Sequence, residues 1–517
     1  MVSAAEAPRP EHVDPVALSR IGEQLGAPVH GSDVTVTGVS LDSRSVVDGD
    51  LWCALPGANT HGACFAAGAA ERGAVAALTD AAGAEDCRRA GLAVIEVADP
   101  RAETARAAAL VYGLPARGLT TLGVTGTNGK TSVTTMIDGT LRELGRTSGL
   151  IGTGGTSFRD RDGRDHRVGT VRTTPEAPEM QGILARMVEH GVETCSLEVS
   201  SHALVLHRAD EIVLDVACFT NLTQDHLDFH GDMETYFAAK ATLLTPEHSR
   251  RGVVCVDDDW GRRLARQATV PVTTYATLPG IDADHRAEDI TSDGFGTDFR
   301  LVDRDGASRT LHSALPGRHY VANTIAVQLM LEAAGLDPDS IAPALAHAGT
   351  VPGRMEQIDG HPVHGVVDFS HTEDSLVQAL TTLRAIPGTG RLITVMGAGG
   401  DRDRAKRPLM GAAAARLSDV VVVTDDNPRS EDPAAIRAQV LAGIPAAAPA
   451  QINECDGREA AIRLAVELAA PGDTVLVAGK GAETGQDIGG VVHPFDDRIV
   501  LRDALAAGAE DHGTEGS

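Results

Sequence analysis

The sequence is short of aromatic residues: Phe, Trp and Tyr together make up 3% of 517 residues. That leaves little material for base-stacking platforms and argues against a stacking-based nucleic-acid binder. Cysteines are few and dispersed: Cys53, Cys64, Cys87, Cys195, Cys218, Cys255 and Cys455, with no C-x-x-C pair. An odd, scattered set excludes a disulfide framework and a zinc knuckle. No run of about 18 apolar residues occurs, so no spanning helix is expected. The opening stretch MVSAAEAPRPEHVDP has no apolar segment of the secretory kind. Positive charge is also short, with 45 Lys+Arg against 72 Asp+Glu and a net charge of −27. Such a field repels nucleic acid and anionic membranes. The expectation is a globular cytoplasmic protein with no nucleic-acid or membrane partner. Any anionic ligand must be held by a local site working against the global field.

What is present is enough apolar material, 42%, to build real cores. At about 150 residues per domain the length suggests roughly three domains. Residues 1–14 and 506–517 read as frayed ends. Between Val34 and Val97, short strand-like runs such as Val75–Thr79 and Leu92–Val97 alternate with Ala-rich helical text (Ala66–Arg72). A second block alternates strands (Thr121–Thr125, Thr194–Val199, Val213–Thr220, Val253–Val256) with helices, which implies a mostly parallel sheet. Pro352–Gly353 marks a further boundary. Beyond it Val363–Phe369, Arg391–Met396, Val420–Thr424 and Thr474–Ala478 read as strands of a doubly wound unit. The fold class is therefore α/β. A small N-terminal α/β domain (1–112) precedes a central domain with a mostly parallel sheet (113–350), and a Rossmann-like C-terminal domain (351–517) follows.

The strongest local signal is GVTGTNGKTS, residues 123–132, where a strand feeds a glycine turn and then a helix start. Glycines let backbone N–H groups approach a phosphate, and the helix dipole favours the anion. Lys130 adds a point charge, and the Thr131 hydroxyl can reach Mg²⁺. The strict phosphate-loop pattern would need glycine at 124, where Val124 stands. An ordinary glycine turn opening a Rossmann-type helix is the plainer alternative. Downstream, Glu198 ends an apolar strand in LEVSSHAL, a position that a solvated loop acid could also fill. His226 and His230 are spaced i, i+4 in TQDHLDFHG, a spacing that would suit zinc. No third soft ligand is in view, and Glu198 with His226 as ligands for Mg²⁺ beside the phosphates is more economical. Lys240 lies in helical text, where the plain reading is a surface lysine.

Taken together the segments resemble the Mur ligases, and within them the MurE type, which adds a diamino acid to UDP-N-acetylmuramoyl-L-alanyl-D-glutamate. The resemblance spans nearly the whole chain. It rests on LDSR (41–44), GDLWCALPG (49–57), TGTNGKTS (125–132), RTTPE (172–176), EVSSHAL (198–204), FTNLTQDHLDFHGDMETYFAAK (219–240), PGRME (352–356), GGDRDRAKRPLMG (399–411) and DNPR (426–429), in that order. It implies a ligase that forms a carbon–nitrogen bond in peptidoglycan synthesis, and so serves cell shape and division. ATP is the co-substrate and two Mg²⁺ ions assist. In the family's scheme the glutamyl carboxylate attacks the γ-phosphate to give an acyl phosphate, and the amine then displaces phosphate. Carried over by motif, Leu41, Ser43 and Ala58, Asn59 and Thr60 would contact the uridine nucleotide. Thr173, Thr174, Ser200 and Arg208 would hold the sugar-peptide. Gly126, Thr127, Asn128, Gly129, Lys130, Thr131 and Ser132 would cradle ATP, with Asn323 near the adenine and Arg354, Asp368 and His371 closing over it. Thr131 and Glu198 would serve one metal, and Glu198, His226 and a carbamylated Lys240 the other. The catalytic group is thus Lys130, Glu198, His226 and Lys240.

The DNPR motif (Asp426, Asn427, Pro428, Arg429) resembles the version in ligases that add diaminopimelate, because Arg429 can hold a distal carboxylate bidentately. Arg402, Gly479 and Glu483 match further contacts to this amino acid, with Glu483 suited to an ammonium. Read alone, Asn-Pro followed by acids is ordinary helix-start punctuation. The chain departs from the family pattern at Ala482, Phe369, Ser370, Glu373, His319, Tyr320, Ala398 and Gly485. These changes fall in the ATP-closing and amine-binding parts. They keep a second reading open, a divergent amide synthetase that uses another amine or carboxylate outside cell-wall assembly. A more distant likeness, to folylpolyglutamate synthetases, lacks LDSR and DNPR. A nucleotide-dependent binding module with a dead site would have no need of all four catalytic residues. A monomer with mobile domains is expected.

Overall fold

The structure is a computed structural model. It describes residues 7–57, 59–170, 172–292, 294–348, 351–358, 362–386 and 388–514, with side chains described to residue 507. Its backbone is built on three main sheets. The N-terminal sheet orders its strands Val29–His30, Ala93–Glu96, Ala76–Thr79, Asp50–Cys53 and Gly38–Ser40. All its pairings are parallel except that of the edge strand Val29–His30. Short Val-, Leu- and Ala-rich strands buried on both faces suit a parallel sheet covered by helices.

The central sheet has eleven strands. Its parallel core runs Ser148–Gly152, Thr194–Glu198, Thr120–Thr125, Val216–Phe219, Gly252–Cys255, Val272–Ala276 and His285–Ser292. The expected parallel arrangement holds there. Antiparallel strands extend both edges: Gly155–Arg159 with Asp165–Val168 on one side, and Thr297–Asp303 with Ser308–Ser313 on the other. Their alternating polar text carries no run of buried residues, which is why it did not read as sheet. The C-terminal sheet has six strands in the order Glu356–Ile358, His364–Asp368, Thr474–Ala478, Leu392–Met396, Val420–Val423 and Gln451–Glu454. All but the first are parallel. One apolar cluster runs from Leu122 and Val124 through Tyr320 and Ile325 to Val366 and Met396, so the central and C-terminal sheets share packed side chains.

Of the two ends expected to fray, residues 1–6 and 515–517 lie outside the described residues, and within 7–14 and 506–514 the expectation needs correction. Arg9 makes a bidentate ion pair with buried Asp50, at 2.6 and 2.9 Å. The backbone N–H groups of Glu11 and His12 donate to Glu189, at 2.8 and 3.0 Å. This segment is polar because it satisfies polar partners, not because it is loose. At the other end, the helix Asp497–Thr514 runs through the stretch expected to fray. Leu501, Ala504 and Leu505 are buried in the C-terminal core and hold it. Among the described residues, no helix is long and apolar enough to cross a membrane.

Candidate active site

The expected phosphate loop forms at the C-terminal end of Thr120–Thr125, a strand flanked by Thr194–Glu198 and Val216–Phe219. Three motifs distant in sequence therefore meet, because the ends of adjacent parallel strands share one crevice. Gly129 caps the helix Lys130–Glu143 with φ +91°, which favours glycine, and places Lys130 in its first turn. The loop is braced from the next strand end. The Thr220 Oγ1 donates to Asn128 O at 2.6 Å, and Asn128 N donates to Asn221 Oδ1 at 3.0 Å. Thr127 Oγ1 donates to Thr223 O at 3.1 Å. Thr131 is half-buried and Ser132 buried in the same helix turn.

Lys130 Nζ donates to the carbonyls of Gly126 and Thr127, both at 2.9 Å. Burial lowers its pKa, while Glu198 and Asp225 work against the shift. The plain surface reading of Lys240 fails. Its side chain is 1% exposed, donates to Gly126 O at 2.8 Å and lies 4.8 Å from the centre of the Tyr236 ring. Burial, reinforced by the charge of Lys130, holds its pKa well below the ordinary lysine value.

Glu198 is 1% exposed. Its carboxylate accepts the Thr153 N–H at 2.8 Å and the Thr153 hydroxyl at 3.1 Å. Among the described residues it makes no ion pair within 4.0 Å. A buried carboxylate short of positive charge is costly alone. Glu198 and His226 both feel the charge of Lys130, and His226 also that of Lys240, so a carboxylate and an imidazole gather around the loop that carries the Thr131 hydroxyl, groups that a hard divalent cation could draw on. His226 holds a left-handed backbone, φ +55°, and burial depresses its pKa so that the ring is neutral. His230 Nε2 instead bonds Ser201 Oγ at 2.9 Å, away from His226's role.

The sugar-peptide candidates line up beside this crevice. The Thr174 hydroxyl donates to Glu198 O at 2.8 Å and to Ser200 Oγ at 3.3 Å. The Thr173 and Thr153 hydroxyls are 2.9 Å apart. Arg208 pairs with Glu176 at 2.9 Å, yet among the described residues its buried Nε has no hydrogen-bond partner. A cavity of about 1330 Å³ opens between the N-terminal and central sheets, with Leu41, Ser43 and Thr60 in its wall. Arg9, Arg44, Arg72, Arg101 and Arg172 line it too, together with Asp42, Glu176 and Glu179. Asn59 is exposed and does not line this cavity, and Ala58 lies outside the described residues.

From the C-terminal side, Asn128 Nδ2 donates to Asp374 Oδ2 at 3.0 Å, and Asn323 Oδ1 packs against Gly129. The Arg354 guanidinium stacks on Phe369 at 4.3 Å, and Asp368 accepts the Met355 N–H at 2.8 Å. Burial lowers His371 to about 4, leaving it neutral. The amine candidates again converge at parallel strand ends. Arg429 has φ +52° and donates from Nη1 to Gly400 O at 2.7 Å. Arg402 and Arg429 lie close enough for their charges to oppose each other. Among the described residues neither has a carboxylate within 4.0 Å. Asn427 and Asp426 are buried, Pro428 O packs against Gly400, and Gly479 (φ +123°) packs against the Asp426 carboxylate. Eight non-glycine residues among those described have positive φ. Four of them, His226, Met355, Asp401 and Arg429, fall in the motifs quoted above, the strained positions expected where side chains are aimed at a ligand.

Several contacts were not legible in the sequence. Lys480 is 0% exposed and donates to Asn427 Oδ1 (3.1 Å), Glu483 Oε2 (2.8 Å) and Gly485 O (2.6 Å). A lysine closing the apolar run TVLVAGK was the available signal. Lys406, at the start of the helix Lys406–Leu417, reaches Asp225 at 4.0 Å. The departures also have local accounts. A Cβ at Gly485 would lie 2.6 Å from Val492 Cγ1, so a larger side chain there needs Val492 to move. Ser370 hydrogen-bonds Asp368 and Ser375 O, which braces the loop before the helix Glu373–Ala385. Ala398 is buried, and the His319 and Tyr320 rings meet tilted, with centroids 4.2 Å apart. Nothing in the structure explains Ala482.

The sequence matches three family models: Mur ligase family, catalytic domain over residues 35–116; Mur ligase middle domain over 124–331; and Mur ligase, glutamate ligase domain over 353–481. It is 49% identical over 502 residues to a UDP-N-acetylmuramoyl-L-alanyl-D-glutamate–2,6-diaminopimelate ligase of Streptomyces avermitilis, covering 96% of this chain and 98% of that one. A UDP-N-acetylmuramyl-tripeptide synthetase of Leifsonia xyli is 43% identical over 515 residues, covering 97% and 99%. A solved diaminopimelate ligase structure aligns with TM-score 0.65 and 31% identity, covering 96% of this chain and 99% of that one. MurF from Acinetobacter baumannii aligns with TM-score 0.64 at 17% identity, over 96% and 99%, and shares the fold.

Proposed function

Because the chain belongs to the Mur ligase family, we propose that it is the diaminopimelate-adding ligase of peptidoglycan precursor synthesis. It uses ATP to join diaminopimelate to UDP-N-acetylmuramoyl-L-alanyl-D-glutamate. The observation that carries the choice of amine is the pair Arg402 and Arg429. Two guanidinium groups with no carboxylate within 4.0 Å among the described residues suit a ligand that brings a distal carboxylate, as diaminopimelate does; lysine has only its α-carboxylate and offers none there. Glu483 and Asp426, on the facing strand end and the same loop, suit the adjacent ammonium. The three-domain division at 112/113 and 350/351, cytoplasmic location and a monomeric state complete the reading.

The chemistry needs a carboxylate oxygen to attack the γ-phosphorus of ATP. The P–O bond to the β-phosphate breaks and ADP leaves. The free amine then attacks the acyl carbon, phosphate departs with the C–O bond electrons, and the amine loses a proton. In the first step two anions meet. Lys130 and the loop N–H groups offset that repulsion and hold the phosphates in line. Thr131, Glu198, His226 and a carbamylated Lys240 would hold two Mg²⁺ ions, which supply further charge neutralisation at the phosphates. Carbamylation requires the free amine, R–NH₂ + CO₂ → R–NHCO₂⁻ + H⁺. Burial and the charge of Lys130 favour that free amine at Lys240. Arg208, whose Nε has no partner among the described residues, suits an anionic group of the UDP substrate.

The test is phosphate release with ATP, Mg²⁺, the UDP-dipeptide and a panel of amines. Release should depend on diaminopimelate, and lysine should support under about 1% of that rate, since a site that binds a substrate's charged group rejects the analogue lacking it by about 10²-fold or more. Release with another amine alone would refute the assignment in favour of the divergent synthetase. A second expectation follows from the net charge of −27. If local groups and metal hold ATP, EDTA should weaken nucleotide binding far more than 0.2 M NaCl does. Equal effects in titration would show that the protein's general field governs binding instead.

A further inference from the structure

We infer that Arg458, with Asp497, is a positioning residue for the amine substrate, a buried ion pair that ties together the two strand ends carrying that substrate's binding groups. This rests on the amine site proposed above. Arg458 opens the helix Arg458–Glu467 and Asp497 opens Asp497–Thr514. Both side chains are 0% exposed. Arg458 Nε and Nη2 each donate to an Asp497 oxygen at 2.7 Å. A pair limited to those two bonds would be internal packing alone. The same guanidinium also donates from Nη2 to Ala478 O at 2.9 Å and from Nη1 to Asp425 O at 3.2 Å.

Those two carbonyls sit one residue before Gly479 and Asp426. One ends Thr474–Ala478 and the other stands two residues beyond Val420–Val423, strands that are not neighbours: Leu392–Met396 lies between them. No ladder hydrogen bond fixes the distance between the two ends, and Arg458 spans it. Its planar fork makes four bonds at once, which an ammonium could not direct in one plane. Charge points the same way. A Cβ built on Gly479 would meet Asp426 Oδ2 at 2.5 Å and Arg458 Nη2 at 3.7 Å, so the guanidinium lies beside the buried Asp426 carboxylate. The formal charges are Arg458 and Lys480 against Asp426, Glu483 and Asp497. This leaves one negative charge, matching one substrate ammonium.

Asp497→Asn keeps the shape and removes the charge that orients Arg458, and Arg458→Lys keeps charge and loses the fork. Both should raise the KM for diaminopimelate at least about 10-fold, while the KM for ATP and for the UDP-dipeptide stays within about two-fold. An unchanged amine KM, or all three constants rising together, would overturn the assignment. Should both variants fail to fold, the wild-type chain still decides it by hydrogen–deuterium exchange. Saturating diaminopimelate should slow the Asn427 and Gly479 amides together, and slowing at one end alone would overturn the tie. Failure of the functional reading shows elsewhere, as absence of diaminopimelate-dependent phosphate release by the wild-type chain.

Discussion

Lys240→Ala is expected to reduce turnover to background, a loss of roughly 1,000-fold, with formate or another short carboxylic acid restoring part of it. Lys240 is 1% exposed and its Nζ sits 2.8 Å from Gly126 O, on the phosphate loop itself. A protonated lysine there would stand beside Lys130 with little solvent to screen either charge. Burial and the charge of Lys130 both favour the neutral amine. A neutral amine can take up CO₂ and become a carboxylate, converting a surplus cation into an anion beside Glu198 and His226. Removing that anion removes charge arranged for the transition state, an effect of roughly 10²–10³-fold for a single preorganised group and more where a metal position depends on it. The truncation also opens a space that a small carboxylate can enter. Full activity in the alanine variant would dispose of this role. Activity that is lost but indifferent to added formate would assign Lys240 to packing. A ¹³C signal from labelled bicarbonate, present in the wild type and absent in the variant, is the direct check.

Gly126→Ala should raise the KM for ATP by roughly 100-fold and lower stability by about 2–6 kcal/mol. Gly126 has φ +148°, a conformation that side chains rarely adopt. A Cβ there would lie 2.0 Å from Thr220 Oγ1 and 3.1–3.2 Å from the backbone O and N of Asn221. Thr220 cannot swing aside freely, because its hydroxyl donates to Asn128 O at 2.6 Å. Either the loop or the Thr220–Asn221 segment must shift. Backbone strain of about 1–3 kcal/mol and overpacking of about 1–3 kcal/mol set the stability cost. A displacement of about 1 Å in a positioning loop costs on the order of 100-fold in binding or rate. Denaturant melts and ATP saturation curves read the two effects separately. Wild-type values for both would mean that the loop is more compliant than its contacts indicate.

Much of this site was legible along the chain. The strand, glycine turn and Gly-Lys-Thr of residues 120–132 are adjacent in sequence, so backbone preference and helix dipole specify the phosphate cradle locally. The apolar runs of the parallel strands were visible for the same reason: a strand buried on both faces must be apolar along its length. The edge strands 155–168 and 297–313 were not visible, since a half-solvated antiparallel strand leaves a weaker pattern. Lys240 shows the limit most clearly. Its sequence surroundings, FAAKA, are those of a surface helix, and only packing against Tyr236 and Gly126 buries it. The polar segment at residues 7–14 misled in the opposite direction, because Asp50 and Glu189, its partners, are far away in the chain.

By itself, then, the sequence determined the α/β class, the order of the motifs, the family resemblance and the residue types at each subsite, all of which are set by short-range spacing. Only the tertiary structure decided which groups are paired and which are left for a ligand. Among the described residues Arg402 and Arg429 have no carboxylate within 4.0 Å and Glu198 no cation within 4.0 Å, while Arg458 makes four hydrogen bonds. Each of those states depends on what lies within 4 Å in space. Asn128 and Asp374 meet across 246 residues, and Arg458 and Asp497 across 39. Contacts over such separations are fixed by the convergence of parallel strand ends and by the exclusion of water from the core, neither of which a local pattern records.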